Sequence, residues 1–158
     1  QLREEFCPVP DFFEPDIGSD VQVNQLVPGR AFEALGVGVQ HAALPRDDRG
    51  NTVTGYRLQQ GDFRLAYLTD VIYPEGTEHC PEAIELGRQV DVLIYGTQAS
   101  YQEALHLARL CQAKRLICTH HDPDHDDDEL DRIAQDLAQV TDIQAELARE
   151  GSCLELTS

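Results

Sequence analysis

The chain has 158 residues, of which 41% are hydrophobic and 26% charged, a globular composition of the size of one domain. Asp and Glu number 29 against 12 Lys and Arg, a formal charge of −17, so a phosphate backbone would be repelled by most of this surface and nucleic acid is expected to be a poor partner unless a basic module lies elsewhere. Five cysteines in no C-x-x-C spacing fit neither a disulfide framework nor a zinc ribbon, and no apolar run is long enough to span a membrane.

The predicted elements begin after a Pro-, Phe- and acid-rich approach over residues 1–19, where three prolines oppose a long helix. Val21, Val23 and Leu26 suggest a short strand, closed by a Pro28-Gly29 turn. Val37 and Val39 alternate with Gly38 and Gln40 and predict a strand to about Leu44. VTGYRLQQ and FRLAYLTD, joined by Gly61-Asp62, predict a hairpin. Pro81–Gln89 has helical spacing with proline near its start, and DVLIYGT is a buried strand. Tyr101–Gln112 is amphipathic, with Ala104, Leu105, Ala108 and Cys111 on one face. RLICTH is a further buried strand, and Asp128 to about Glu150 is helical with a break near Thr141-Asp142. SCLELT closes as a strand. Hairpins followed by strand–helix alternation give one α/β domain over residues 1–158, a mixed sheet layered with helices. The chain starts at Gln1 and contains no Met, so we expect it to begin inside a longer one.

The chemistry concentrates in LICTHHDPDHDDDEL, where a buried strand runs through His120, His121, Asp122, Asp124, His125 and Asp126 into a helix. Imidazole with carboxylate suits Zn, Mn or Fe, and the C-terminal ends of strands are where α/β sheets place their sites. Asp126 with Glu129 also matches a capping box, and Asp127 and Asp128 suit a helix N-terminus, so these acids read as caps. An EF-hand reading fails, because its sixth position is Asp127 and its twelfth Ile133. Asp70 ends the strand LAYLTD and is either a turn residue or a second ligand. Cys111 and Cys118 read as core residues, His106 as surface, His79 as an exposed loop residue, and Arg57 as a partner of an acid or of an anionic substrate.

GYRLQQGDFRLAYLTD, DVLIYGT and EALHLARLCQAKRLICTHHDPDHDDDEL together resemble the second half of metallo-β-lactamase-fold hydrolases, in the ribonuclease Z and phosphodiesterase branch, over about residues 20–157. The resemblance implies half of an αββα sandwich. It implies a binuclear site, zinc first, in which metal-bound hydroxide attacks a phosphodiester or related small ester. Asp70 matches the bridging ligand and His120 a terminal one. His41 is the candidate for a third ligand, although the pattern counted from Val39 places it at Pro45 or Arg46. His121, Asp122 and His125 would orient ligands or move protons. The family's His-x-His-x-Asp-His motif is absent, so we expect it upstream of Gln1 or on another subunit, and the fragment to be inactive alone. Pairing with that half, or homo-oligomerisation, follows. The expected substrate is a small molecule, and the thiols suit the cytoplasm. The rival reading is a degenerate, non-catalytic domain kept for interaction or regulation. A third is a single metal held by the His120–Asp126 loop alone.

Overall fold

The computed structural model describes residues 27, 29–47, 49–73, 80–97 and 100–153. The approach segment, the strand expected at residues 21–26, His79 and most of the closing SCLELT segment lie outside the described residues. Seven strands form one sheet whose spatial order follows the chain: β1 (Phe32–Ala34), β2 (Val37–Pro45), β3 (Thr52–Gln60), β4 (Phe63–Leu68), β5 (Val92–Gly96), β6 (Arg115–Thr119) and β7 (Gln144–Leu147). The first four pair antiparallel and the last four parallel. The change of pattern is dictated by the connections. Two-residue turns join β1 to β2 and β3 to β4, whereas each parallel pair needs a helical crossover. These crossovers are α1 (Pro81–Gly87), α2 (Tyr101–Cys111) and α3 (Asp127–Ala138).

All three helices pack on one face. Leu44, Ala66, Leu68, Leu93, Tyr95, Leu116 and Cys118 from the sheet meet Ala83, Leu86, Leu105, Leu107, Ala108 and Leu137 from the helices in one core. Gly55 exists for this contact, since a Cβ there would stand 2.5 Å from Leu44 Cδ1 and 2.8 Å from Leu68 Cδ2. Arg57, on the same face, donates to the carbonyls of Leu86 (2.9 Å) and Arg88 (2.7 Å) and feels the charges of Glu85 and Asp91, so it ties down the end of α1. The alternate residues, among them Val39, Tyr67, Val92 and Ile117, point the other way, as the two-residue period of a strand requires. No helix among the described residues is long and apolar enough to cross a membrane.

The helix starts follow their caps. Ser100 Oγ accepts from the backbone N–H of Gln102 and Glu103, and Asp126 Oδ1 accepts from Glu129 N at 2.9 Å. Asp126–Asp128 therefore cap α3, as the sequence reading had them. The C-terminal part of that reading needs correction. The helix stops at Ala138, and residues expected to continue it to Glu150 instead form β7, parallel to β6. Exposed backbone at the edge of β6 offers Gln144–Leu147 a ladder, and Arg115 reaches Glu146 across it at 2.5 Å, so sheet pairing overrides helical propensity. The sequence reading also missed β1, a three-residue edge strand held by the Leu35-Gly36 turn. Cys111 and Cys118 are buried; burial alone pushes the Cys118 thiol up to about 12, which keeps it protonated and inert.

Candidate metal centre

The parallel strands β4, β5 and β6 end side by side, with Leu68 level with Tyr95 and Gly96 level with Thr119. One or two residues past these ends the chain turns sharply at both outer strands. Asp70 has φ 58° and His120 has φ 52°, both in the left-handed region that costs a non-glycine residue about 1–2 kcal/mol. Strain of this kind persists where the surroundings over-determine it, which is the habit of functional positions. Its effect here is to swing both side chains over the end of β5. Asp70 Oδ1 and His120 Nε2 meet at 2.9 Å, with side chains 39% and 45% exposed. Water and ions therefore reach the pair.

Gly96 makes that meeting possible. A Cβ at Gly96 would lie 3.1 Å from Asp70 N, 3.4 Å from Thr69 Cα and 3.5 Å from His120 Cβ. The end of β5 is thus a gap filled by its neighbours' turns. The sequence reading did not single out Gly96.

His41 is not brought to this pair. In the sheet register it stands beside Tyr56, and Tyr56 beside Tyr67, three residues short of Asp70. That is roughly 10 Å back along the strand and two strands to the side. Its ring is buried, 6.2 Å from that of Phe32, and among the described residues Nε2 has no hydrogen-bond partner. The position that does reach the site end of β2 is Pro45, whose carbonyl accepts from Ile72 N at 3.1 Å. The register thus places His41 four residues before Pro45 and apart from the Asp70–His120 pair.

The loop after His120 has its own order. Asp122 Oδ1 accepts from Asp124 N at 2.9 Å, and Asp122 O accepts from His125 N at 3.0 Å, so Asp122 builds the turn. His121 is held by Thr97, a buried residue that follows Gly96. Thr97 Oγ1 donates to Thr119 O (3.2 Å) and lies 3.1 Å from His121 Nδ1. The hydroxyl can accept from Nδ1–H or donate to Nδ1 according to the tautomer of the ring. Burial, then the nearby His125 and His120, lowers the pKa of His121 below its ordinary value. Thr97 and Tyr101 on one side, and His121, His125 and Glu129 on the other, bound a cavity of about 200 Å³. Thr97, like Gly96, is a residue of this region that sequence reasoning missed. Its only signal was its place at the end of a buried strand.

No family model matches the chain. A stretch of 74 residues is 39% identical to ribonuclease Z of Acaryochloris marina (strain MBIC 11017), covering 38% of this chain and 22% of that protein. Three-dimensional comparison is broader. The metallo-β-lactamase fold protein YhfI from Bacillus subtilis superposes over 82% of this chain and 54% of its own, with TM-score 0.62 and 17% identity. The chain has the metallo-β-lactamase fold. Human tRNase Z, short form, matches the same fold at TM-score 0.54 and 16% identity over 80% of this chain and 46% of its own. A diphosphatase of the PhnP family gives 0.55 and 22% over 81% and 46%. The chain thus spans about half the length of these metallo-β-lactamase-fold structures and about a fifth of the ribonuclease Z it matches.

The Asp70–His120 pair fits a metal of the zinc type in part. A carboxylate oxygen and an imidazole nitrogen 2.9 Å apart can both reach one ion at about 2 Å, and both come from turns already set. Among the described residues no group of three or more His, Cys, Asp or Glu converges to complete the set.

Proposed function

We propose that this chain supplies Asp70 as bridging ligand and His120 as terminal ligand to a binuclear, metal-dependent hydrolase centre acting on a phosphodiester or a related small ester. The observation that carries the reading is the 2.9 Å approach of Asp70 Oδ1 to His120 Nε2 from two strands that are not neighbours. Zinc, or manganese or iron, would supply there an acidified water and charge neutralisation at the leaving oxygen. The remaining ligands come from outside the described residues, on the same polypeptide or a partner subunit.

The chain's own residues set the surroundings. Thr97 holds the His121 ring through Nδ1 at the cavity wall, where the imidazole can orient substrate or move a proton. Asp122 fixes the turn that carries His125 to the cavity rim. A net charge of −17 favours a small substrate over a nucleic acid. Four free cysteines among the described residues suit a cytoplasmic protein.

Metal analysis of the full-length protein tests the reading. About two equivalents of zinc or manganese, lost in Asp70→Asn and in His120→Ala, with hydrolysis of bis(p-nitrophenyl) phosphate, support it. A full-length protein that takes up no metal overturns it in favour of a non-catalytic module. Metal retained in Asp70→Asn but lost in His120→Ala points instead to a single ion in the 120–126 loop.

A further inference from the structure

The two turns that carry the metal pair are held in different ways. After Asp70 the chain is caught by main chain, with Ile72 N donating to Pro45 O at 3.1 Å. After β6 the hold includes a side chain. Thr97 is only 7% exposed, and two of its groups meet one carbonyl. Its backbone N–H donates to Thr119 O at 2.8 Å, and its Oγ1 lies 3.2 Å from the same oxygen. That Oγ1 also lies 3.1 Å from His121 Nδ1. One hydroxyl thus touches the residue before His120 and the residue after it.

His120 itself turns out of β6 at φ 52°, a conformation that costs a non-glycine residue about 1–2 kcal/mol and persists only where its surroundings over-determine it. The Thr119 carbonyl belongs to the peptide plane that enters His120, so two contacts from Thr97 fix the direction of that plane. On the far side, Oγ1 restrains the His121 ring as donor to one tautomer or acceptor from the other. The bracket around His120 therefore holds in either case. It is anchored where it is needed, because Thr97 directly follows Gly96, the strand end over which His120 leans.

We infer that Thr97 is the positioning residue for His120: its hydroxyl bridges Thr119 and His121 and keeps the left-handed turn between them set for Nε2 to meet Asp70. The inference rests on the hydrolase reading only for what the pair then does, which is to hold a metal.

The test compares Thr97→Val and Thr97→Ser in the full-length protein by two readouts. The first needs no metal. A Cβ at Gly96 would lie 3.5 Å from His120 Cβ, so the Gly96 α-protons and the His120 β-protons share a nuclear Overhauser contact. The second is zinc affinity by competition with a chelator. We expect Thr97→Val to lose about half or more of the contact intensity and to bind zinc about tenfold or more weakly, with Thr97→Ser close to the parent in both. Valine fills the space of threonine, so a role in packing alone would reverse that order and make Thr97→Ser the weaker variant. The reversed order, Thr97→Ser falling as far as Thr97→Val, or no change in either variant overturns the inference. So does a Thr97 hydroxyl proton in free exchange with water in the parent, a measurement that needs no variant to fold. A parent protein that takes up no zinc, together with loss of the Overhauser contact in Thr97→Val, supports the inference and overturns the hydrolase reading instead.

Discussion

Asp70 and His120 touch across the end of a strand to which neither belongs. Both sit at positive φ, and Gly96, which ends the strand between them, contributes no side chain to keep them apart. The site is thus made from three strand ends, two that lean inward and one that makes room.

The pair should be cheap to remove for the fold. Each side chain is more than a third exposed, and ion pairs in such settings contribute at most about 1 kcal/mol. Asp70→Asn is expected to move the thermal midpoint by no more than about 2–4 °C. Differential scanning calorimetry checks this. A much larger drop would mean that any accompanying loss of metal reflects unfolding.

Gly96→Ala should act the opposite way round from an ordinary core substitution, with function suffering more than stability. The new methyl group presses on the Asp70 backbone and the His120 Cβ, so the two turns must move apart by a few tenths of an ångström. We expect metal affinity in the full-length protein to fall about tenfold or more, with roughly 1–3 kcal/mol of destabilisation. Unchanged affinity in a competition titration with a chelator would show that the gap does not control the approach.

Leu35→Asn should stabilise the protein by about 1 kcal/mol. Leu35 is fully exposed with φ 53°, and Gly36 follows with φ 79°, so the β1–β2 loop is a two-residue hairpin turn with both residues left-handed. Asn-Gly is the pair that such a turn prefers, and no buried contact is lost. Urea denaturation midpoints of the two proteins decide the matter.

Histidine 121 should make the metal-free protein weaken as the medium becomes acid. Burial, and then His125 and His120, hold its folded pKa below the ordinary value of 6.5. Between those two values the unfolded chain binds the proton and the folded chain does not. Stability from this group is therefore complete above about 6.5 and is lost as pH falls through the lower, folded value. His121→Gln should flatten that part of the stability profile, measured by urea denaturation across the range. An identical slope in parent and variant would assign the acid sensitivity elsewhere.

The residues that were legible in the sequence are those whose chemistry is written in type and place together. Asp70 and His120 each end an apolar run, and a charged group at that point needs a partner. The hairpin at Gly61-Asp62 and the apolar face of α2 were equally plain, because period and turn chemistry agree there. Thr97 and Gly96 were not legible, since their roles depend on which strands lie side by side. His41 stands apart from the pair in the sheet register, and the count from Val39 to Pro45 or Arg46 had already marked the later position on that strand. At Gln144–Leu147 local propensity pointed to helix, and only the open edge of β6 supplied the competing ladder.

The seven strands lie in space in the order in which they are synthesised. Each new strand therefore finds its place against the one made just before it, and no earlier strand has to wait for a distant partner. Asp70 is finished early in this sequence of events but stays without its histidine until β5 has been laid down and β6 added outside it. The contact between the two side chains is in effect a record that the parallel half of the sheet has closed in register, and a nascent chain halted before residue 120 would leave the Asp70 carboxylate without its imidazole.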